Sequence, residues 1–462
     1  MMSTPSPITI AEALRSARET RALEIGAGIL PRAVTIFREQ FPGRTALIVT
    51  DSITWKIAGH QVADSFRLAG QASLEPFVYT EQNLYAEHDY VERLEGALKP
   101  NDAIPVAVGA GTVNDLTKLA AHRAGRSYMC VATAASMDGY TAFGASITHN
   151  GSKQTFVCPA PRAVLADLDI VRAAPHELTA SGYADLLAKT TAGADWILAD
   201  ALGVEPIHPE AWRIVQGGLR KMLSHPEGVP SGDANAISRL IEGLMLAGFA
   251  MQAAQTSRAA SGAEHQFSHL WDMQHHAHQG QAPSHGFKVG IATLAVTTLY
   301  ECLLAYPVER LDVSKCCDAW PDEPSRENFI RRTFGQPDLL AVALQESRAK
   351  AVTPEALRSQ LERLRSVWPE LKNRLRHQLI PFEQSKAMLQ AAGAPVEPEQ
   401  IGISRDRLRA SFFEAVLIRR RFTVLDVVSR AGLLETFLGE IFGPEGRWPV
   451  RASKPATVAA FP

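Results

Sequence analysis

The chain predicts an α/β protein in two parts, a Rossmann-like parallel-sheet domain over residues 1–174 followed by an all-helical domain over residues 175–462. Three observations carry this expectation. Short β-rich runs recur at intervals of about 25 residues in the first third, which leaves room for a crossover helix between each pair. A glycine-bearing turn follows one of those runs and opens a helical pattern. From about Pro175 onward, apolar residues recur with helical rather than strand periodicity almost to the end.

The runs 46–50, 77–79, 104–108 and 128–131 are the expected strands, with 156–158 and 164–166 closing the domain and 169–175 crossing into the next. Between the third and fourth strands, Val113, Leu116, Leu119 and Ala120 fall on one face of a helix over 112–124, which Gly125 stops. In the second domain Ser181 is the expected N-cap of a helix that carries Asp185, Leu186, Leu187, Lys189, Ala192 and Trp196. A long helix of apolar and small residues is expected over 236–258, the polar segment 321–336 is expected as a loop, and helical stretches over 408–419, 423–428 and 433–442 are expected to pack on the second domain. Residues 451–462 read as a frayed tail.

Composition narrows the function classes. With 462 residues, 21% of them charged, and a net charge of −2, the chain has no electrostatic footprint for nucleic acid or an anionic membrane, so a small molecule in a local pocket is the expected partner. No apolar run is expected to reach the ~18 residues of a membrane span, and Met1-Met2-Ser3-Thr4-Pro5-Ser6-Pro7 lacks a basic segment followed by an apolar one. A cytoplasmic protein is the expectation. The five cysteines include no pair at C-x-x-C spacing, which argues against a disulfide framework and a structural zinc knuckle.

The turn Val108-Gly109-Ala110-Gly111-Thr112-Val113 joins a strand to a helix N-terminus, where free N–H groups and the positive dipole end suit a diphosphate. It lacks the third glycine of the dinucleotide fingerprint, so a plain strand-to-helix turn is the competing reading. Asp51, at the end of an earlier strand, is placed to receive ribose hydroxyls or to cap a helix. Thr133, Ala134, Ala135 and Ser136 are small enough for a cofactor ring to lie against backbone, and Asp138 follows as a substrate contact; a plain loop has the same look.

Asp185 stands among apolar neighbours, and a buried carboxylate requires a cation or donors, either a salt bridge or a metal. His265 and His269 are one helical turn apart, and His285 precedes a slim glycine. Two imidazoles and one carboxylate leave a divalent cation with open positions for a substrate oxygen. Gln266 occupies the place where a zinc peptidase carries its general-base Glu, so peptidase chemistry is not expected. His275, His276 and His278 crowd a polar segment that reads as a solvated loop.

Five stretches carry a resemblance: Gly109-Ala110-Gly111-Thr112, Ala134-Ala135-Ser136-Met137-Asp138-Gly139-Tyr140, Ser181-Gly182-Tyr183-Ala184-Asp185, Ser261-Gly262-Ala263-Glu264-His265 and Ser284-His285-Gly286. Together, over roughly residues 23–300, the chain resembles the sn-glycerol-1-phosphate dehydrogenases, in particular a bacterial branch found beside arabinose-utilisation genes. That family lies within the superfamily of glycerol dehydrogenases, iron-containing alcohol dehydrogenases and dehydroquinate synthases. The resemblance implies a dehydroquinate synthase-like fold, NAD or NADP, one divalent metal (zinc, nickel or iron), and interconversion of dihydroxyacetone phosphate and sn-glycerol 1-phosphate. It implies Asp185, His265 and His285 as metal ligands, Asp138 and His269 at the substrate, and Asp51, the 109–113 turn and Thr133 to Ser136 at the dinucleotide. The family's usual serine four residues after Asp138 is Ala142 in this chain.

On this reading Asp185 also faces substrate, His269 delivers or relays a proton or else orients Asp138, and Lys288, ahead of Lys153 and Arg258, is the first choice for the phosphate. The superfamily also implies a homo-oligomer, a dimer or larger. The alternatives are a glycerol or polyol dehydrogenase, a dehydroquinate-synthase-like cyclase, and a helical interaction protein that keeps only the scaffold.

Overall fold

Strands buried on both faces read as continuous apolar runs, and here they form a six-stranded sheet that is parallel throughout. The strands are β1 (Ala22–Gly26), β2 (Ala46–Asp51), β3 (Phe77–Tyr79), β4 (Ile104–Gly109), β5 (Met129–Ala132) and β8 (Ala163–Asp167), in the order β1-β8-β5-β4-β2-β3. A separate antiparallel hairpin joins β6 (Ala145–His149) to β7 (Ser152–Phe156). The computed structural model describes residues 7–149 and 152–450, so the expected frayed tail 451–462 lies outside the described residues.

The chain divides into two compact units, Met1–Leu186 with His208–Ala260 and Ala391–Ala394, and Leu187–Ile207 with Ser261–Gln390 and Pro395–Pro462. In the first unit, Phe37, Ile48, Phe66, Val106, Val108, Val131 and Leu165 form a core cluster with helices on the sheet. Phe37 and Phe66 are fully buried with ring centroids 5.2 Å apart, and each such side chain stabilises the fold by about 1.5–3 kcal/mol. The strand order reverses between β2 and β4, which run side by side with Val49 opposite Ala107. Two residues further on, at the carboxyl ends, stand Asp51 and Gly109. Ligands of open α/β sheets bind at such a reversal.

The second unit is helical. Its interior is built from Lys189–Ala201, Ala263–Met273, His285–Ala305 and Pro354–Gln378, with Trp271 and Trp368 fully buried.

Four expectations need correction. The strand expected at 156–158 ends at Phe156, because β7 pairs antiparallel with β6 in the register Ala145 to Phe156, and Val157 beyond it is exposed. Ser181 is not an N-cap: it lies inside the helix His176–Leu187, and its hydroxyl donates to the Ser136 carbonyl at 3.3 Å. The helix Glu323–Thr333 occupies the expected loop 321–336, since Asp322 caps Ser325 N at 2.9 Å and the proline sits in the first turn, where its missing N–H costs nothing. Finally, His285–Ala305 does have the length and mean hydropathy of a membrane span, although Lys288 and Glu301 interrupt its apolar run, and 78% of its most apolar window is buried inside the protein.

Candidate metal and nucleotide site

The turn after β4 folds as its glycines require. A Cβ on Gly109 would stand 2.6 Å from Val113 Cβ, and one on Gly111 would stand 2.7 Å from Met137 Cε, so neither position tolerates a side chain without a shift. The helix Gly111–Arg123 begins at Ala110, which offers no side-chain cap to its first N–H groups. Such an uncapped, positive helix end suits a diphosphate. Asp51 behaves as a cap: its Oδ1 accepts from Ile53 N at 2.8 Å and Thr54 N at 2.7 Å. Thr133, Ala134, Ala135 and Ser136 lie buried after β5, with Ser136 Oγ 3.0 Å from Tyr140 OH.

The sequence reading missed the polar side of the helix Gly111–Arg123. Asn114, Asp115 and Lys118 are buried on it and grip the segment that carries Asp138. Lys118 Nζ donates to the carbonyls of Gly139 (2.9 Å), Ala142 (3.0 Å) and Gly144 (2.9 Å), and lies 3.5 Å from Asp115 Oδ1. Asp115 Oδ2 accepts from Ser146 N at 3.2 Å, and Asn114 Nδ2 donates to the Gly139 carbonyl at 3.3 Å. The polar residues at 114, 115 and 118 share a face, and that spacing was the available signal.

Asp185, in the last turn of His176–Leu187, is fully buried, and its Oδ2 accepts from Asp138 N at 3.0 Å. A Cβ on Gly182, one turn earlier, would collide with the Ala135 carbonyl, which explains a glycine inside this helix.

Within the helical unit, Gly262 precedes the helix Ala263–Met273 because its Cβ would meet Asp195 Oδ2 at 2.6 Å and Glu264 Oε2 at 2.8 Å. The helix start is closed by two buried carboxylates, Glu264 Oε1 accepting from Gly262 N at 2.6 Å and Asp195 Oδ2 from Ala263 N at 2.7 Å. Asp195 Oδ1 also accepts from Tyr300 OH at 2.6 Å and Val424 N at 2.8 Å. Ser284 caps the helix His285–Ala305 through Phe287 N at 3.3 Å, which sets His285 in its first turn. Neither Asp195 nor the orienting role of Glu264 was read from the sequence.

His265 Nδ1 is 2.7 Å from Glu264 Oε1, which also accepts from Gly262 N, while Glu264 Oε2 accepts from Thr191 Oγ1 at 2.8 Å. Burial pushes the Glu264 carboxyl up, yet the His265 hydrogen bond and charge and the backbone donors hold it below the ordinary carboxylate range. An ionised Glu264 fixes the Nδ1–H tautomer of His265, so that Nε2 is the nitrogen that would ligate. The His265 ring centroid is 5.3 Å from that of His285 and 6.5 Å from that of His269.

Asp185, His265 and His285 each offer one ligand atom, and the three atoms lie within 4.8 Å of one another. One carboxylate oxygen and two imidazole nitrogens at that spacing fit a zinc, nickel or iron ion with open positions. A second group, His88, Asp89 and Glu92, meets the same distance. It stands in the first turn of His88–Leu98, whose dipole opposes a cation, and Arg123 Nη1 is 2.5 Å from His88 Nε2.

The basic residues divide differently. Lys288 is buried, and its ammonium pairs with Asp272. Arg258 is fully buried and Lys153 lies on β7. His276 is buried too, contrary to the expected solvated loop, with Nε2 2.6 Å from the Ile401 carbonyl and Nδ1 2.8 Å from Arg407 Nη1.

Residues 24–175 match the family described as iron-containing alcohol dehydrogenase. A glycerol-1-phosphate dehydrogenase [NAD(P)+] from Methanosarcina mazei is 32% identical over 281 residues, 61% of this chain and 76% of the relative. The chain belongs to the glycerol-1-phosphate dehydrogenase family. Another member, from Halalkalibacterium halodurans, is 36% identical over 258 residues, and that match spans 55% of this chain and 64% of the relative's length. Among solved structures, a glycerol dehydrogenase from Schizosaccharomyces pombe has the same fold, with a TM-score of 0.58 at 14% identity over 97% of this chain and 98% of that one.

Proposed function

We propose that this chain catalyses the NAD(P)H-linked, metal-dependent reduction of dihydroxyacetone phosphate to sn-glycerol 1-phosphate, and its reverse. Its family makes it an NAD(P)-dependent oxidoreductase that uses a divalent metal and acts on a small molecule. The observation that carries the reading is the group of Asp185, His265 and His285 with ligand atoms within 4.8 Å. When bound there, the cation supplies positive charge to the C2 oxygen, which turns negative as hydride arrives at C2.

The chain's own residues do the rest. Asp185, His265 and His285 hold the metal, with Glu264 fixing the His265 tautomer and Asp138 N–H fixing one Asp185 oxygen. The Gly109, Ala110, Gly111, Thr112 and Val113 turn receives the diphosphate, Asp51 the ribose, and Thr133 to Ser136 the ring. The Asp138 side chain contacts the substrate, and His269, one turn beyond His265, delivers or relays the proton to the C2 oxygen. Lys288 is assigned to the phosphate, a role it must share with Asp272.

That shared ammonium favours one second reading, a dehydrogenase of unphosphorylated polyols. The test follows the absorbance of reduced nicotinamide with dihydroxyacetone phosphate or dihydroxyacetone as the acceptor. Oxidation is expected with the phosphate ester and is expected to vanish in His265→Ala. Equal turnover of dihydroxyacetone would replace the first reading by the second, and no turnover of either would overturn both.

A further inference from the structure

Lys118 carries an enclosed ammonium, with a side chain fully buried. A buried ammonium is costly unless its three protons are used, and here the acceptors number the same as the donors: the carbonyls of Gly139, Ala142 and Gly144. Asp115 Oδ1, at 3.5 Å, supplies the countercharge.

Those carbonyls span a segment whose regular structure is one short turn, Asp138–Thr141, followed by Gly144 at a φ of +81°. Thr141 Oγ1, donating to the Met245 carbonyl at 2.7 Å, and Gln252 Nε2, donating to the Thr141 carbonyl at 2.6 Å, hold the middle of the segment, and the ammonium gathers the carbonyls on either side of it. Asp138, the residue before Gly139, donates its N–H to Asp185 Oδ2 at 3.0 Å. The line of contact therefore runs from Lys118 to the Gly139 carbonyl, to the Asp138 amide, and to a carboxylate of the metal group.

We propose that Lys118 is a positioning residue of the metal centre: by clamping 139–144 it holds the Asp138 amide on Asp185 and so sets the orientation in which that carboxylate meets the cation. This rests on the metal reading given under the proposed function. Neither Met, which carries no donor, nor Arg, whose planar fork cannot point three N–H groups at one cluster of carbonyls, reproduces the clamp.

The test titrates the metal-stripped full chain with cobalt(II), measuring affinity by competition with a chromophoric chelator and recording the visible absorption of the bound ion. Lys118→Met is expected to weaken cobalt binding about tenfold and to change the absorption envelope, as loss of an outer support of a metal ligand does. Val62→Ala, a cavity in the core of the same unit, is expected to lower the Tm while leaving affinity and spectrum unchanged, which separates positioning from general loosening. Should Lys118→Met fail to fold, Asn114→Ala, which removes the other side-chain donor to the Gly139 carbonyl, is expected to move both readouts the same way by less. Wild-type affinity and spectrum in the folded variants would overturn the positioning role alone. A wild-type chain that takes up no cobalt would overturn the metal reading and this inference with it.

Discussion

Two buried polar clusters, one in each unit, solve the same problem with opposite charge. In the sheet unit a cation, Lys118, collects three carbonyls and holds the segment that carries Asp138. In the helical unit an anion, Asp195, collects two N–H groups and a phenol and holds Ala263, Val424 and Tyr300. The difference lies in what each secures. Lys118 ties down an irregular segment, whereas Asp195 pins the starts of two helices, at Ala263 and Val424, to the body of a third, at Tyr300. The first cluster should therefore govern local geometry, and the second the integrity of its unit.

That contrast breaks most readily at Asp195. Asp195→Ala strands three buried donors at ~1–3 kcal/mol each, so a loss of about 4 kcal/mol is expected in denaturant unfolding followed by far-ultraviolet circular dichroism. A change within about 0.5 kcal/mol, the range of an ordinary surface substitution, would show that Asp195 is no hub.

A smaller effect is expected at His276. Burial, with the charges of Arg407, Lys288 and His278 added, holds its imidazole below the ordinary value of 6.5, although the Ile401 carbonyl opposes the shift. The folded chain thus resists a proton that the unfolded chain accepts. Stability from a neutral His276 is full above about pH 6.5 and falls as the pH drops toward the folded value. Replacing it by His276→Gln should flatten the acid limb of a plot of Tm against pH between about pH 7 and 5. An unchanged slope would mean that another group governs that limb.

The sequence made the sheet legible because its strands are apolar runs at crossover spacing, and β2, β3, β4, β5 and β8 fall where that pattern puts them. β1 and the β6–β7 hairpin escaped because their signal is weaker: β1 is a half-buried edge strand, and the hairpin is a short polar pair set apart from the main sheet. Asp185, His265 and His285 could be singled out as candidate ligands from residue type and the family resemblance, since a carboxylate among apolar neighbours and two imidazoles each need a reason, and their ligand atoms lie within 4.8 Å of one another. Asp195 and Lys118 were not. A single charge inside a helical pattern reads as a solvated position until the backbone groups it serves are known, and those groups lie far away in sequence. Glu264 was visible within its motif, but its hydrogen bond to its own neighbour His265 depends on a side-chain direction that spacing does not fix.

The proposed chemistry needs three side chains to share one ion, and metal counting tests that most directly. After loading with zinc and removal of excess, inductively coupled plasma mass spectrometry on the wild-type chain should find one equivalent per chain, and close to none in His265→Ala and in His285→Ala, with far-ultraviolet circular dichroism unchanged. One equivalent retained in both variants, or none in the wild type, would contradict it.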